Sequence, residues 1–273
     1  MICRNNKDMF RDAAMFRPTM LVMVPALAEM ALNLSKQFKR NMLGDSVKYI
    51  ICGAATVPPY LAQEYEKLGI TLLAGYGLTE SANLVSGNPD TIKNPTSVGF
   101  PFPGQELRVV NDELWLKGSN MMDGYVGNPE ENAAAYTDGW FRTGDLVRVD
   151  ENGYLYITGR IKEIIVLPTG ENISPAEVEQ KFNEIEAIQD SLVYEDHDAA
   201  GKAILALQIY PRAVVLKAKG IADEDAADYL KAEVDRVNAT LPSIQRISKL
   251  IIREKDFIRS GAMKILRDKN RME

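Results

Sequence analysis

Residues 8–75 alternate between helical spacing and short apolar runs, and this rhythm restricts the fold more than any other feature. Asp8 to Phe16 has amphipathic helical spacing. Met20–Val24 is a short apolar run, and Pro25 then opens a helix to about Phe38. Val47–Cys52 is apolar again, Pro58 and Pro59 open a helix through Leu68, and Ile70–Ala74 is the next run. Proline suits a first helical turn, where its missing N–H has no partner to lose. Short apolar strands separated by helices predict βαβ units and a parallel sheet. Ligands of such sheets sit beyond the carboxyl ends of the strands.

From about Asn94 the pattern changes. Prolines and glycines crowd residues 95–104. Short alternating strands follow, of which Glu113–Lys117 is the cleanest. Asp145–Asp150 and Tyr154–Thr158 flank a hairpin turn at Glu151-Asn152-Gly153. A third block begins near Lys162. Glu163–Leu167 reads as a strand, and Ser174-Pro175-Ala176-Glu177 as a capping box opening a helix to about Glu186. Strands at Ser191–Tyr194 and Ala203–Tyr210, a long helix from Asp223 to Leu241, and a last strand at Lys249–Arg253 complete the block. The expected fold class is therefore α/β plus α+β. A partial parallel βαβ sheet occupies about 1–93, and a small antiparallel β-barrel-like subdomain about 94–158. A separate small α+β domain spans 163–273, with residues 159–162 as a hinge.

The net charge of −6 argues against nucleic acid as the main partner, because binding that backbone needs concentrated positive charge. The two cysteines, Cys3 and Cys52, lack metal-type spacing, and disulfide stapling is not expected in a chain this large. A reducing cytoplasm is the expected compartment. The longest apolar stretch, Met20–Leu34, is interrupted by Pro25 and Glu29 and falls short of the ~20 residues of a membrane helix. The N-terminus has no apolar secretory core. The only histidine, His197, lies in a polar turn and reads as solvated.

Three separated runs carry the chemistry. Gly75-Tyr76-Gly77-Leu78-Thr79-Glu80-Ser81 follows the apolar run 70–74. As a turn it offers a stacking ring, a hydroxyl and a carboxylate at one point. Gly139-Trp140-Phe141-Arg142-Thr143-Gly144-Asp145-Leu146 and Gly159-Arg160-Ile161-Lys162-Glu163 lie downstream, and Lys264 sits near the end. Taken singly, these residues have plainer readings. Tyr76 is a tyrosine at a strand end, and Glu80 a first-turn carboxylate facing a helix dipole. Asp145 is a turn aspartate, Arg160 a solvated arginine and Lys162 a linker lysine. Lys264 is one cation of a basic solvated tail that also holds Arg259, Arg267, Lys269 and Arg271.

Taken together, the runs resemble the adenylate-forming superfamily, specifically its acyl-CoA synthetases of the long-chain fatty acid–CoA ligase kind. The segment Asp123-Gly124-Tyr125-Val126-Gly127-Asn128-Pro129-Glu130 adds to the resemblance. The resemblance implies that residues 1–158 are the C-terminal part of the large adenylate-forming domain and that 163–273 are its small mobile domain. It implies ATP, Mg²⁺ and coenzyme A as partners of a fatty acid. A carboxylate is an anion with a poor leaving group, and joining it to AMP removes both obstacles to thioester formation.

The implied roles fall on named residues. Tyr76 would stack on adenine, with Gly75 and Gly77 beside it, and Gly53-Ala54-Ala55 would let adenine lie against backbone. Thr79 would bond a phosphate oxygen and Glu80 would ligate Mg²⁺. Asp145 would accept the ribose hydroxyls, with Arg160 adding a ribose or phosphate contact. Lys264 would neutralise charge on the carboxylate and α-phosphate. Met263 stands where many relatives place glycine. Lys162 would be the pivot, and the segment Thr169-Gly170-Glu171-Asn172, through Gly170 and Glu171, would face coenzyme A.

Full enzymes of this kind carry a Ser/Thr/Gly-rich phosphate loop ending in lysine-glycine, whose N–H groups cradle phosphates. Neither that loop nor GxxxxGK[ST] occurs in this sequence. The chain is thus expected to be the C-terminal portion of a synthetase, partnered by a missing N-terminal half and inactive alone. Two other readings stay open: a non-catalytic nucleotide- or acyl-binding or interaction module, and a ligase for an aryl or short-chain acid.

Overall fold

Helix α1 (Asn6–Phe16) leads into β1 (Met20–Met23), α2 (Pro25–Phe38), β2 (Tyr49–Cys52), α3 (Pro59–Lys67) and β3 (Thr71–Leu78), the alternation that the apolar spacing predicts. Pro25 and Pro59 each occupy the first turn of their helix. The computed structural model describes residues 6–168, 170–260 and 264–271, with side chains from Asp8 onward. The described chain divides into two compact units. The first runs through Thr143 and takes in Val147–Ile157 and Lys264; the second takes Gly144–Leu146, Thr158–Ser260 and the tail from Ile265.

In the first unit, β1, β2 and β3 pair in parallel, with Met23, Cys52 and Ala74 level at their carboxyl ends. Alternation then sorts the side chains. Met23, Ile50, Cys52, Leu72 and Ala74 face α2 and α3 and form a core with Leu32, Leu61 and Tyr65. Met20, Val22 and Tyr49 are half or more exposed.

The sheet is mixed, where the sequence pattern predicts only parallel pairing. β4 (Asn83–Gly87) runs antiparallel to β3, and β5 (Phe100–Pro101) antiparallel to β4. The run Gly75–Leu78 is therefore strand and not turn, paired to Gly87, Ser86, Leu84 and Asn83. The reversal comes three residues later, where Ala82 and Asn83 take φ of 51° and 98°.

A second sheet has the order β10-β9-β7-β6. Its strands are β6 (Gln105–Val110), β7 (Glu113–Gly118), β9 (Trp140–Val149) and β10 (Leu155–Arg160). A short β8 (Tyr136–Thr137) pairs with β9, preceded by α4 (Pro129–Ala135). Val85, Leu114, Leu116, Val147 and Leu155 form its buried cluster, and Tyr76 packs against it.

The second unit opens with a 3₁₀ turn at Ile161–Glu163 and a two-stranded hairpin, β11 (Ile165–Val166) and β12 (Asn172–Ile173). The expected strand Glu163–Leu167 is thus shortened to two residues. Helix α5 (Pro175–Asn183) follows, ending three residues before the expected Glu186. Ser174 is its N-cap residue, but its hydroxyl donates to Thr158's carbonyl at 2.5 Å and does not cap the helix. Strands β13 (Ile188–His197), β14 (Ala203–Pro211) and β15 (Lys249–Ile252) form the main sheet. β13 and β14 are antiparallel, while β14 and β15 are parallel. His197 ends β13 and is exposed. Between β14 and β15 lie α6 (Ala213–Ala218), which periodicity misses, and α7 (Ala226–Thr240); α8 (Arg267–Asn270) closes the chain. Phe182, Ile188, Leu207, Ile209 and Leu230 centre the core.

Candidate functional site

The level carboxyl ends of β1–β3 bring two of the predicted groups together. Gly53 follows β2 directly, and a Cβ built on it would come 2.7 Å from the Gly75 carbonyl oxygen in β3. Any larger residue at 53 would push the strands apart at this point. Ala54, with φ of 69°, and Ala55 follow as an exposed turn. Gly77 is more crowded: a Cβ there would overlap the Asn83 carbonyl group in β4. These glycines are therefore required by close strand approach.

Beyond β3, Thr79–Ser81 form a 3₁₀ turn. Thr79 is exposed at its tip and Glu80 is half-buried. Ser81 Oγ accepts from Leu78 N–H at 3.1 Å. A second segment braces the turn: Asn120 Nδ2 donates to the Ser81 carbonyl at 2.6 Å, and Met122 N–H donates to the Glu80 carbonyl at 2.8 Å. The Tyr125 hydroxyl donates to Glu80 Oε1 at 3.0 Å. Burial, and then this bond to a carboxylate, push the Tyr125 phenol up to about 12. Tyr125 keeps its proton at neutral pH and acts as a donor. Sequence reasoning misses this partnership, since Tyr125 lies 45 residues from Glu80.

Among the described residues there is no group of three or more His, Cys, Asp or Glu side chains that could hold a metal. Glu80 does fit Mg²⁺, which is ordinarily bound through one or two carboxylates, with phosphates and water filling the rest of its shell.

In the second unit Asp145, 2% exposed, and Arg160 meet as neighbouring-strand partners. Arg160 Nε donates to Asp145 Oδ1 at 2.6 Å. The pairing corrects the plain reading of Arg160 as merely solvated. Two other residues of the motif around Asp145, Arg142 and Thr143, sit in the first unit and make structural contacts. Arg142 reaches the buried Glu113 carboxylate at 3.3 Å and lies over the Trp115 ring, whose Nε1 donates to the same oxygen at 2.9 Å. Thr143 Oγ1 donates to the Leu114 carbonyl at 2.7 Å.

Lys162 is exposed in the 3₁₀ turn. Gly170 and Glu171 are exposed in the hairpin between β11 and β12, closed by Gly170 N–H to the Leu167 carbonyl at 2.8 Å. Thr169 and Met263 lie outside the described residues. Lys264 is exposed and groups with the first unit.

The tail is solvated at Lys264, Lys269 and Arg271 but not at its other two cations. Arg259, with 13% of its side chain exposed, pairs with Asp190 at 2.6 Å and Asp256 at 2.9 Å. Arg267 pairs with Glu179 and Glu163. A groove of about 610 Å³ in the second unit, lined by Lys181, Ile185, Arg236, Val237 and Leu241 among others, includes none of the predicted site residues.

A family model described as "AMP-binding enzyme" matches residues 2–126, and one described as "AMP-binding enzyme C-terminal domain" matches residues 162–272. A long-chain-fatty-acid–CoA ligase of Mycobacterium bovis is 39% identical over 158 residues, covering 58% of this chain and 26% of the relative. A long-chain-fatty-acid–CoA ligase of Bacillus subtilis is 36% identical over 198 residues, covering 67% of this chain and 34% of the relative. Among solved structures, an anthranilate CoA ligase in complex with anthranoyl-AMP superposes with a TM-score of 0.80 at 21% identity, covering 98% of this chain and 52% of the other. The matched region thus spans about a quarter to a third of these curated relatives and about half of that solved structure. Among the described residues no helix is long and apolar enough to cross a membrane.

Proposed function

This chain belongs to the AMP-binding enzyme family, and from that premise we propose that it is a portion of an ATP-dependent acyl-CoA synthetase acting on a fatty acid. The reaction has two halves. A carboxylate displaces pyrophosphate from ATP to give acyl-AMP, and the thiol of coenzyme A then displaces AMP to give the thioester and release a proton.

The observation that carries the reading is the grouping at the carboxyl ends of β1–β3. Gly53 abuts Gly75 there, and the Thr79–Glu80 turn continues from the same strand, where ligands of parallel sheets bind. In this reading Tyr76 stacks on adenine, Thr79 bonds a phosphate oxygen, and Asp145 with Arg160 holds the ribose. Glu80, oriented by Tyr125, would hold Mg²⁺, whose positive charge would offset that of the phosphates. Lys264 faces the α-phosphate, Lys162 is the pivot, and the Gly170–Glu171 hairpin faces coenzyme A. The rest of the large domain, including a phosphate loop, comes from a further stretch of polypeptide. The exposed Met20, Val22 and Tyr49 support that view, because parallel sheets are ordinarily covered on both faces. A buried Cys52 thiol and the lack of metal-type cysteine spacing suit a cytoplasmic setting.

Calorimetry with a non-hydrolysable palmitoyl-AMP analogue tests the site, and pyrophosphate release from ATP, Mg²⁺ and palmitate tests the extent. The expected results are measurable heat and no turnover from this chain alone. Absence of heat would overturn the nucleotide site. Turnover at the ~1–10³ s⁻¹ of ordinary enzymes would overturn the reading of the chain as a portion.

A further inference from the structure

The Thr79–Ser81 turn is held from outside by one stretch of chain, residues 120–136, which lies with it in the first unit. Asn120 and Met122 bond to main-chain carbonyls of the turn. Tyr125 differs, because its hydroxyl donates to a side chain, Glu80 Oε1, at 3.0 Å. A carboxylate with one oxygen committed in this way offers the other to a cation.

Asn132 is the residue that aims this hydroxyl. Its Oδ1 accepts Tyr125 N–H at 2.6 Å, and its Nδ2 donates to the Tyr125 carbonyl at 2.9 Å. One side-chain amide thus takes up both polar groups of the Tyr125 main chain, as a neighbouring strand does. Gly124 makes room for it: a Cβ built there would come 2.9 Å from Asn132 Oδ1. Asn132 is itself fixed in α4. Its N–H donates to the Asn128 carbonyl at 3.1 Å, and Asn128 Oδ1 accepts Glu131 N–H at 3.3 Å. Just beyond α4, the Tyr136 hydroxyl donates to the Met122 carbonyl at 2.5 Å, and its ring meets that of the buried Phe141 edge-on. The stretch is therefore a strap, fastened at Met122 and Tyr125 by residues in and beside α4. Asn132 falls two residues past the run Asp123–Glu130 and belongs to none of the motifs that carry the chemistry.

We propose that Asn132 is a positioning residue for Glu80: by clamping the Tyr125 main chain it fixes the hydroxyl that holds one Glu80 oxygen, so that the carboxylate meets a divalent cation through its other oxygen alone. The cation rests on the reading above; the strap does not. A carboxylate held in one rotamer before the cation arrives loses no further side-chain entropy when it binds.

Residue-resolved hydrogen–deuterium exchange on the 273-residue chain tests the strap. The reporters are the amides of Tyr125, Met122 and Ala82, bonded respectively to Asn132 Oδ1 and to the Glu80 and Thr79 carbonyls. Asn132→Ala should speed exchange at all three by about tenfold or more. Tyr125→Phe should speed Met122 and Ala82 about as much, while the amide of residue 125, still held by Asn132, stays within twofold. Asn132→Asp keeps the acceptor for Tyr125 N–H and should restore most of its protection. Acceleration confined to Tyr125 in Asn132→Ala would mean that Asn132 merely closes the turn before α4. Equal acceleration through α2 and α3 would mean a loss of global stability. Either result overturns the strap. Calorimetry gives a second readout that a merely structural role would not split. Asn132→Ala and Tyr125→Phe should each weaken ATP with Mg²⁺ about tenfold, and together no more than either alone. Both should leave the palmitoyl-AMP analogue, which has no pyrophosphate for a metal to bridge, within threefold. Equal weakening of both ligands would overturn the role at Glu80. If the unsubstituted chain binds no ATP with Mg²⁺, the cation reading of Glu80 fails, while the exchange rates still decide the strap.

Discussion

Asp145→Asn separates binding from stability, and the structure allows both to be sized. Asp145 is buried, but its partner Arg160 keeps 49% of its side chain exposed. An ion pair with so accessible a member contributes no more than about 1 kcal/mol after solvent screening, and a freed Arg160 can be hydrated. Asparagine keeps the side-chain shape. The melting temperature should therefore fall by about 4 °C or less. Binding should change far more. Hydrogen bonds to a charged group are each worth ~1.5–3 kcal/mol, and asparagine keeps one acceptor oxygen but turns the other into a donor, so losing one ribose contact weakens the palmitoyl-AMP analogue by about tenfold or more. Titration calorimetry on both proteins measures this. A 2′,3′-dideoxy analogue supplies the cross-check, because it should bind the unsubstituted chain at least as weakly as the normal analogue binds the variant, which keeps one acceptor oxygen. An affinity within threefold in Asp145→Asn, or undiminished binding of the dideoxy analogue, would refute the placement of ribose on Asp145.

Three predictions concern the framework. Gly77→Ala places a methyl group on the Asn83 carbonyl; overpacking of this kind costs about 1–3 kcal/mol, read as a lowered denaturation midpoint with an unchanged slope. Burial raises the Cys52 thiol to about 12, so in a Cys3→Ser background it should resist Ellman's reagent at pH 8 until the chain unfolds. The same shift has a sign in stability. Above pH 9 the unfolded thiol loses its proton while the folded one keeps it, so the unfolded state binds fewer protons. Stability then falls by about 1.4 kcal/mol per pH unit between 9 and 12, a slope that Cys52→Ala should reduce in alkaline melts.

The order of helices and strands through α3 was legible because periodicity is local: the residues that pack Ile50 and Leu72 against α2 and α3 announce themselves every second or every third and fourth position. Gly75–Leu78 misled for a related reason. Two glycines flanking Tyr76 read as a turn, yet here Gly77 and Leu78 answer to Leu84 and Asn83 across the ladder, which sequence spacing does not encode. The tail makes the same point about charge. Arg259, Arg267, Lys269 and Arg271 are alike as letters, and counting them gives only a basic stretch. What sets Arg267 apart is Glu179, 88 residues away, and what sets Glu80 apart is Tyr125. Motif spacing finds the groups that would touch a ligand, because a small molecule draws them from a few strand ends. It cannot find the groups that hold those residues still, because their partners come from whichever element packs behind. Mutational tests of this chain should therefore give Tyr125 the same weight as Glu80, the motif residue that it bonds.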